Sequence, residues 1–406
     1  MFDFIIKKFV PFGLARTLSL AGIPLLQFAV MFFCSREEAG KFYFVSNVAF
    51  VATQIADLGM SRAFPVLFGS DGQPDHQELP GIMLIRWFLG LLMGLGFILV
   101  NRFGEVSWSW ADTGLIAIFF CLGRVILLGN QGYRHARQEF TFLLRGSVLH
   151  IMVATGFLAI CAALGRFSAD IALIAITLGF WTELVSIDNP AAHQFKNSKS
   201  SFKGSIEVAL PFATVGIAQA VYGRVETFVA GHFLSAATLG VFGTLDSAFK
   251  MFIWPSYVSA QTVFPAINQA VKTRNQAELK YVAKRHFKLA GAICVIAMIT
   301  GLIYWYFKLS MMPEITVAAL YLWLSIWMSI PNAFMIPLYY SLGFEKKLAA
   351  AMLKLAIFRC AVALIMAHIW GFTGLCATHP VATLCAIFLL WYQIKPALRN
   401  FFAEPG

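Results

Sequence analysis

Charged residues are scarce in this sequence: they make up 13% of its 406 residues, against about 25% in a typical soluble domain. The apolar fraction is correspondingly high, at 59%. A soluble chain of this composition would leave much apolar surface in contact with water, which excludes an ordinary globular fold. The composition predicts an all-α integral membrane protein that crosses the bilayer about twelve times.

The sequence also lacks the signatures of several other classes of protein. Its seven cysteines all stand in apolar stretches and none forms a CxxC pair, so they indicate small core side chains rather than disulfides or a metal site. The chain has no Walker A sequence, which argues against ATP hydrolysis by this protein. We therefore expect no catalytic residues, no cofactor and no metal ion, and we expect that the protein is not an enzyme.

Apolar runs long enough to cross a bilayer, which takes about 20 residues, recur along the whole chain. They predict spans at residues 12–34, 42–69, 81–100, 112–130, 142–164, 169–187, 205–232, 236–268, 287–307, 316–341, 348–370 and 373–395. Two of these runs, 42–69 and 236–268, are longer than one straight crossing needs, so we expect them to tilt, kink or project from the membrane. Pro255 and Pro265 are natural kink points in the second run.

Lysine and arginine are distributed unevenly between the two sides of the predicted membrane. If the N-terminus lies inside the cell, the inner segments hold eighteen of these residues and the outer segments hold five. The five outer residues are Arg36, Lys41, Arg102, Arg166 and Lys308. This asymmetry follows the positive-inside rule and predicts that both termini are cytoplasmic. It also accounts for the net charge of +11 without nucleic acid as a partner.

Two polar segments separate groups of predicted spans. Residues 188–204 are rich in Ser and Lys and lie near the midpoint of the chain. They predict a cytoplasmic linker between an N-terminal six-helix lobe, 1–187, and a C-terminal six-helix lobe, 205–406. Residues 269–286 are basic, and two interpretations of them remain open: a solvated loop, or an amphipathic helix that lies on anionic lipid.

The two halves of the chain resemble each other at an offset of 200 residues. Seven identities occur over the 33 positions 10–42: Pro11 and Pro211, Phe12 and Phe212, Phe28 and Phe228, Phe33 and Phe233, Ser35 and Ser235, Gly40 and Gly240, and Phe42 and Phe242. The repeated element is an apolar helix, a turn of the form S-x-x-x-x-G-x-F, and a second helix. Six spans in each half give the repeats the same orientation, and parallel repeats are one known transporter design. We predict two lobes around a central cavity that opens to alternate sides; a duplicated scaffold without transport is the alternative.

Some charged residues fall inside the apolar spans. The basic ones are Arg16, Arg62, Arg86, Arg124, Arg224, Lys250, Lys354 and Arg359. A charge near mid-bilayer costs about 2.5–3.5 kcal/mol even on a lenient scale, so these side chains should face protein or a watery cavity. Arg16, Arg62 and Arg86 lie near predicted cytoplasmic ends, where a long side chain can reach water. Arg124 and Arg359 lack an acid nearby in sequence, which makes them candidates for unpaired cavity cations suited to phosphate.

A second group of charges opens the C-terminal half. Arg224, Glu226, Asp246 and Lys250 lie in its first two helices, and Asp246 and Lys250 share a helix face at spacing i, i+4. The group is either a neutralised set that tolerates burial or a cavity lining that attracts an anion. Asp57 can end its helix, pair with Arg62 or bind a coupling cation. Glu226 and Asp246 are further candidates for charge pairs or ion coupling.

The segment SREEAGKFYFVSNVAFVATQIADLGMSRAFP (35–65) resembles the first helix hairpin of polysaccharide flippases of the O-antigen type, with an outer Gly, aromatic residues and a later D-L-G. Residues 235–270 are similar to the matching element in the C-terminal half of these proteins, and 273–285 to the polar loop that follows. The flippases belong to the multidrug/oligosaccharidyl-lipid/polysaccharide exporter superfamily. The similarity of organisation covers most of the chain.

The resemblance implies two six-helix lobes around a central cavity in a bacterial inner membrane. It implies transfer of an undecaprenyl-diphosphate-linked oligosaccharide, such as an O-antigen repeat unit, from the inner to the outer leaflet. Cationic side chains of the first, second, seventh and eighth helices line the cavity of such flippases, and the matching positions here are Arg16, Arg62, Arg224 and Lys250. Membrane lipids and other polysaccharide-assembly proteins are the implied partners.

Two further functions compete with lipid flipping. A multidrug exporter of the same superfamily would use acidic groups to bind cationic drugs, and the excess of basic residues within the spans argues against it. A membrane polymerase or ligase of polysaccharide synthesis would usually carry a substantial outer loop, and the predicted outer segments are all short. The sequence therefore favours the flippase, with the exporter as the alternative.

Overall fold

A computed structural model describes residues 10–59, 79–103, 110–136, 139–186, 202–304 and 313–403. Within these ranges every regular element is a helix and no strand occurs, in agreement with the all-α prediction. The chain divides into two compact units, Met1–Arg224 (unit 1) and Val225–Gly406 (unit 2).

The helices of each unit follow one another along the chain. Unit 1 contains α1 (Val10–Phe33), α2 (Arg36–Ala56), α3 (Leu79–Phe103), α4 (Trp110–Ala136), α5 (Phe140–Ala163), α6 (Ala169–Ser186) and α7 (Phe202–Tyr222). Unit 2 contains α8 (Val225–Phe233), α9 (Ala236–Lys272), α10 (Gln276–Tyr304), α11 (Pro313–Ser341) and α12 (Glu345–Ala403).

Apolar side chains of α2, α4 and α6 form the centre of unit 1. These three helices pack on one another, and α5 packs on α1 and α6. Phe42, Phe120 and Phe180 are fully buried in one cluster. The rings of Phe120 and Phe180 meet edge to face with their centroids 5.2 Å apart, an arrangement that aromatic pairs favour. Buried polar side chains on these helices therefore lie beside apolar neighbours.

Unit 2 is built around α9, α11 and α12. α9 packs on α10 and α11, and α12 packs on α11 and α8. α12 is not one continuous helix, because Gly371 has non-helical dihedrals of φ 54° and ψ −125°. A positive φ is costly for any residue with a Cβ atom, so glycine permits this break. The break divides α12 into two arms, residues 345–370 and 372–403.

Each predicted span overlaps a helix, and the helix boundaries correct several of the predicted ends. Four helices of the described residues are long and apolar enough to cross a membrane: Thr141–Ala163, Ala236–Lys272, Leu320–Ser341 and Glu345–Phe402. The total of twelve crossings remains a prediction, as do the positions of the lobe boundaries and the linker. Pro255 and Pro265 both lie inside α9.

Three predicted elements differ from the structure. The run 42–69 does not form one long helix, because α2 ends at Ala56 in a turn at 57–59. The run 205–232 is interrupted by a turn at 223–224 between α7 and α8. Residues 269–286 are neither a loop nor a separate surface helix, since they contain the end of α9, a short turn and the start of α10.

The repeated turn of the two halves is confirmed in structural detail. Ser35 is the N-cap of α2 and its hydroxyl accepts a hydrogen bond from the backbone N–H of Glu38 at 3.2 Å. Ser235 is the N-cap of α9 and accepts from the N–H of Thr238 at 3.3 Å. A serine hydroxyl is well suited to satisfy a free N–H at a helix start. The shared serines therefore fix the same helix boundary in each half.

The D-L-G triplet ends α2 with two left-handed residues. Leu58 has φ 52° and Gly59 has φ 66°. Gly59 also lies directly against the backbone of α7, since a Cβ atom placed on it would overlap the carbonyl oxygen of Phe212. Gly216 of α7 meets the same contact from the other side: its Cβ would lie 2.7 Å from the Cα of Gly59. The two glycines allow α2 and α7 to touch through their main chains.

Gly59→Ala is expected to destabilise unit 1 strongly, because the methyl group would collide with backbone atoms that have no freedom to move aside. Gly165→Ala is the matched control, since Gly165 has φ 67° but nothing within 4 Å of its Cβ position. The control carries only the dihedral cost, about 1 kcal/mol. Thermal unfolding of the purified proteins in detergent should give a midpoint clearly lower for Gly59→Ala than for Gly165→Ala. Equal midpoints would contradict the close approach of α2 and α7.

Candidate functional site

A buried network of charged side chains lies in unit 2. Arg359, on the first arm of α12, donates from Nε to Oε1 of Glu226 on α8 at 2.5 Å. Its Nη2 donates to Nδ1 of His379, on the second arm, at 2.8 Å. All three residues are almost fully buried. The break at Gly371 therefore separates two arms that both contribute to one polar cluster.

The network continues from α12 to α9. His379 Nε2 lies 3.5 Å from Oδ1 of Asp246, and Oδ2 of Asp246 accepts a hydrogen bond from Lys250 Nζ. The imidazole of His379 also packs edge to face on Phe249, with ring centroids 4.8 Å apart. Two carboxylates, one guanidinium, one ammonium and one imidazole thus meet in the interior of unit 2.

Local structure explains how this network tolerates burial. Glu226 is the second residue of α8, where the helix dipole favours a carboxylate. Asp246 and Lys250 are one turn apart on α9, as predicted from their spacing. Each buried acid therefore has a basic partner, and such pairing is what allows charges to remain in a low-dielectric interior.

One prediction about this region was wrong. Arg359 was expected to be an unpaired cation, but it forms an ion pair with Glu226. The acid lies 133 positions earlier in the sequence, so no local pattern could have indicated it. His379, which the sequence did not place in a site, belongs to the same network.

A buried ion pair in unit 1 joins the end of α2 to α3. The Nη2 group of Arg86 donates to Oδ1 of Asp57, and both side chains are 0% exposed. The same Nη2 donates to the carbonyl oxygen of Val125 on α4 at 3.1 Å. The expectation that Arg86 reaches water at a membrane surface was wrong, because its charge is compensated inside the protein. Asp57 is also the C-cap residue of α2.

Arg124 and Arg224 meet at one aromatic ring. The Cζ atoms of Arg124 and Arg224 lie 4.4 Å and 4.5 Å from the ring centroid of Phe50. Arg124 also lies 5.1 Å from the ring of Phe180. Both distances to Phe50 fall within the range of a cation–π interaction. Two arginines that the sequence proposed separately as substrate ligands are therefore brought together in unit 1.

A third polar cluster was not predicted. Glu183 of α6 accepts a hydrogen bond from Nε2 of Gln131 on α4 at 2.8 Å, and its other oxygen lies 3.2 Å from Nδ1 of His150 on α5. Nothing in the sequence links Glu183 to His150. The presence of a polar residue within the apolar run of each of three helices was the only available signal.

The remaining predicted residues are not placed in any of these clusters. Arg62 and the side chain of Arg16 lie outside the part of the chain that the structure describes. Lys354 is exposed on α12. Among the described residues, no group of His, Cys, Asp and Glu side chains is arranged to hold a metal ion.

The fold matches solved structures of membrane transporters over nearly its whole length. The MATE multidrug transporter DinF-BH in complex with rhodamine 6G superposes with a TM-score of 0.70 at 15% identity, covering 99% of this chain and 97% of that one. The outward-facing conformation of a multidrug resistance MATE family transporter of the MOP superfamily gives a TM-score of 0.67 at 15% identity, with 98% and 96% covered. The chain therefore has a MATE-like transporter fold.

A third solved structure has a different binding pocket. It is a MOP superfamily transporter from Pyrococcus furiosus Vc1 (DSM3638), described as having a reverse polarity of its binding pocket that suggests a different function. Its TM-score is 0.63 at 16% identity, with 96% of this chain and 95% of that one covered. No protein-family model matches the chain, and no curated protein matches it.

Proposed function

We propose that this protein is a secondary transporter that exports amphipathic organic compounds from the cytoplasm by alternating access. The main support is the fold, which follows multidrug transporters along 98–99% of the chain. One of these relatives is in complex with a rhodamine dye, so a fold of this kind accommodates a large aromatic cation. The proposal places the protein in a bacterial inner membrane with both termini in the cytoplasm.

The distribution of charge removes an objection to this function. The sequence argued against drug export because basic residues outnumber acids within the spans. Three of those basic residues have buried acidic partners: Arg86 with Asp57, Lys250 with Asp246, and Arg359 with Glu226. Pairs that are neutral overall attract an anion far less than isolated arginines would. The number of basic residues within the spans is therefore not by itself an argument for an acidic substrate.

The network of unit 2 supplies a site where ion coupling can occur. Glu226 and Asp246 are buried acids, and His379 lies between Arg359 and Asp246. Titratable residues inside a membrane domain commonly carry protons in pumps and transporters. Protonation of Glu226 would remove the negative charge that holds Arg359. A ligand drives alternating access only if it binds the two states with different affinities. Because protonation of Glu226 breaks its pair with Arg359, the affinity for the proton would differ between a state that keeps this pair and a state that has lost it.

A lipid-linked oligosaccharide flippase is the second candidate. The specific observation in its favour is the pair Arg124 and Arg224 against Phe50. Both guanidinium groups contact the same ring, and a guanidinium suits a diphosphate, whose oxygens accept charge-assisted hydrogen bonds. The P. furiosus transporter also indicates that pocket polarity varies within this fold. In this case the substrate would be a polyprenyl-diphosphate-linked sugar repeat, and polysaccharide-assembly proteins would be partners.

Deletion of the protein separates the two candidates. An exporter predicts cells that become more sensitive to rhodamine and related amphiphiles while their surface polysaccharide stays intact. A flippase predicts the reverse: normal sensitivity, loss of the glycan coat and accumulation of the lipid-linked precursor. Susceptibility assays and polysaccharide gels on the same strain measure both. If the deletion strain shows neither phenotype, although the protein is verified in wild-type membranes, a role in transport of either substrate is contradicted.

The arginine pair provides a sharper comparison between the candidates. Arg124→Gln with Arg224→Gln should remove nearly all glycan export if the substrate is a diphosphate, because both charge-assisted contacts are lost. The double variant should retain most rhodamine export if the substrate is a cationic drug. Lys354→Gln is the control, since Lys354 is exposed and belongs to no cluster described above. If the double variant retains both activities, Arg124 and Arg224 do not bind the substrate.

A further inference from the structure

Three lysines lie on one exposed face at the start of α10. Lys280, Lys284 and Lys288 follow one another at intervals of four residues, so they stand one turn apart on the same side of the helix. All three are exposed, and none of them forms an ion pair within the ranges that the structure describes. The proposed transport function does not use these lysines. Their charge is therefore available to a partner from outside the protein.

The opposite face of α10 is packed into unit 2. Nε2 of His286 donates to the carbonyl oxygen of Ile330 on α11 at 3.1 Å, since a carbonyl can only accept. Nδ1 of the same ring lies 3.1 Å from the hydroxyl of Ser259 on α9. These contacts fix the rotation of α10, so the lysine face points away from the interior of unit 2. The buried residues on the packed face are Leu279, Val282, His286, Ala290 and Cys294.

In the following turns of α10 the exposed face becomes apolar. Val295, Ile296 and Ile299 are 41%, 64% and 51% exposed. At about 3.6 residues per turn, these side chains lie on the same side of the helix as the three lysines. One face of a continuous helix thus changes from basic to apolar after Lys288, as expected where a helix enters the hydrocarbon of a bilayer. The predicted span 287–307 begins at the same place.

The second arm of α12 shows the same change in the opposite chain direction. Trp391 and Tyr392 are 49% and 79% exposed, and exposed aromatic residues of this kind are enriched at membrane surfaces. Lys395 and Arg399 follow them and are also exposed. The second arm is therefore expected to leave the membrane near residue 392.

The two helix ends meet beyond this level. Nε2 of Gln276 donates to the carbonyl oxygen of Phe401 at 3.1 Å, which joins the start of α10 to the end of α12. At 1.5 Å per residue, Gln276 stands about 18 Å from Lys288 along its helix, and Phe401 stands about 14 Å from Tyr392. Both helices therefore place the membrane surface at a similar level, and both extend beyond it.

The surface that these helix ends present is strongly basic. α10 contains four Lys and Arg residues and one acid, Glu278, and the second arm of α12 contains no acid. Tyr281 and Phe287 lie among the lysines, and each is 44% exposed. Nζ of Lys280 lies 5.2 Å from the ring centroid of Phe402. The basic surface of unit 2 consists of Lys280, Tyr281, Lys284, Phe287, Lys288, Lys395 and Arg399.

Anionic phospholipid fits the basic surface better than an acidic partner in water does. Lysines beside aromatic residues at the end of a membrane helix are typical of segments that contact anionic headgroups. The attraction between exposed charges extends about 8 Å at physiological ionic strength. Lys284 stands about 6 Å above Lys288, so both lie within this range of the predicted membrane surface. A partner in water would also leave the apolar face after Lys288 uncovered, whereas acyl chains cover it.

We propose that Lys280, Lys284 and Lys288 bind the headgroups of anionic phospholipids at the cytoplasmic end of unit 2. The ammonium groups donate charge-assisted hydrogen bonds to phosphate oxygens, and the acyl chains lie along the apolar face that begins below Lys288. The cytoplasmic position follows from the positive-inside rule. The inference goes beyond the proposed function, because it holds for either candidate substrate.

Electron paramagnetic resonance of spin-labelled lipids tests this proposal without any transport assay. The protein is reconstituted in phosphatidylcholine vesicles that contain a trace of spin-labelled phosphatidylglycerol or spin-labelled phosphatidylcholine. The spectrum separates lipid held at the protein from mobile lipid. We expect the wild-type protein to hold phosphatidylglycerol at least about threefold more strongly than phosphatidylcholine. Substitution of all three lysines by Gln should remove most of this preference, and about 1 M salt should do the same, because it shortens the range of attraction to about 3 Å.

A matched variant distinguishes the lysine face from a general attraction of the cytoplasmic side. Lys203→Gln with Lys346→Gln and Lys347→Gln removes the same charge from exposed positions on the same predicted side, and should keep the preference. Substitution of the α10 lysines by Arg should keep it too. An equal loss in the matched variant, or an unchanged preference in the folded α10 variant, would overturn the proposal. Absence of any preference in the wild-type protein would also overturn it, and would favour a water-soluble acidic partner.

Discussion

Glu226→Gln is expected to destabilise unit 2 more than a substitution of any exposed charge. The variant would leave Arg359 buried beside a neutral amide, and its guanidinium would lose the carboxylate that it contacts at 2.5 Å. Removal of one partner from a buried ion pair typically costs about 3–5 kcal/mol. Thermal unfolding of the purified protein in detergent should show a midpoint far below that of the wild type.

Two further variants establish that the charge pair causes this loss. Glu226→Gln combined with Arg359→Gln should recover most of the stability, because neither charge then lies uncompensated in the interior. Lys41→Gln is the matched control for loss of an exposed pair: Lys41 lies 3.6 Å from Glu38 and is 40% exposed, so its loss should cost at most about 1 kcal/mol. A double variant as unstable as the single one would contradict the explanation.

Asp57→Asn is expected to have an effect of similar size in unit 1. Arg86 is 0% exposed, so it has no access to water when its carboxylate is removed. We again expect a loss of about 3–5 kcal/mol, seen as a lower unfolding midpoint and a smaller yield of folded protein. The variant should also weaken the contact of α2 with α3, since the pair joins the end of one helix to the other.

Asp57→Leu with Arg86→Met tests whether this pair serves only the fold. A well-packed apolar replacement of a buried ion pair is often neutral for stability. We therefore expect the double variant to fold and to transport at close to the wild-type rate, measured by rhodamine export from cells. A stable double variant that has lost transport would instead assign Asp57 to ion coupling, which was one of the roles considered from the sequence.

The features that the sequence predicted correctly are those in which neighbours along the chain determine the structure. The predicted turn before the second helix of each half is one example: Ser35 and Ser235 stand in it, and each accepts a hydrogen bond from the N–H three residues later. Asp246 and Lys250 pair because four residues bring side chains to the same face of a helix. Apolar runs of membrane length predict helices for the same reason, since each backbone group bonds within its own segment.

The partners of the buried charges were not predictable in this way. Arg359 and Glu226 lie 133 positions apart, and Arg86 and Asp57 lie 29 apart. A pattern of spacing identifies neighbours on one helix but gives no information about which helices pack together. The sequence therefore placed Arg86 within reach of water and Arg359 without an acidic partner, and both expectations were wrong.

One helix break was predicted and another was missed. The break at Gly371 falls between the predicted spans 348–370 and 373–395. The turn at 223–224 lies within the run 205–232, which was predicted as one span because it is mostly apolar. Both breaks lie close to charged residues of the network in unit 2, since Glu226 follows the turn at 223–224 and His379 lies beyond Gly371. A glycine near a buried charge was the available signal for an interrupted helix.

Movement of substrate by the purified protein tests the proposed export function most directly. The decisive measurement is rhodamine accumulation in proteoliposomes with an acidic interior and the membrane potential clamped, compared with protein-free liposomes. We predict accumulation that requires the protein and disappears when nigericin collapses the pH gradient. Rhodamine levels equal to those of protein-free liposomes, from a protein shown to be folded and inserted, would contradict the proposed export function.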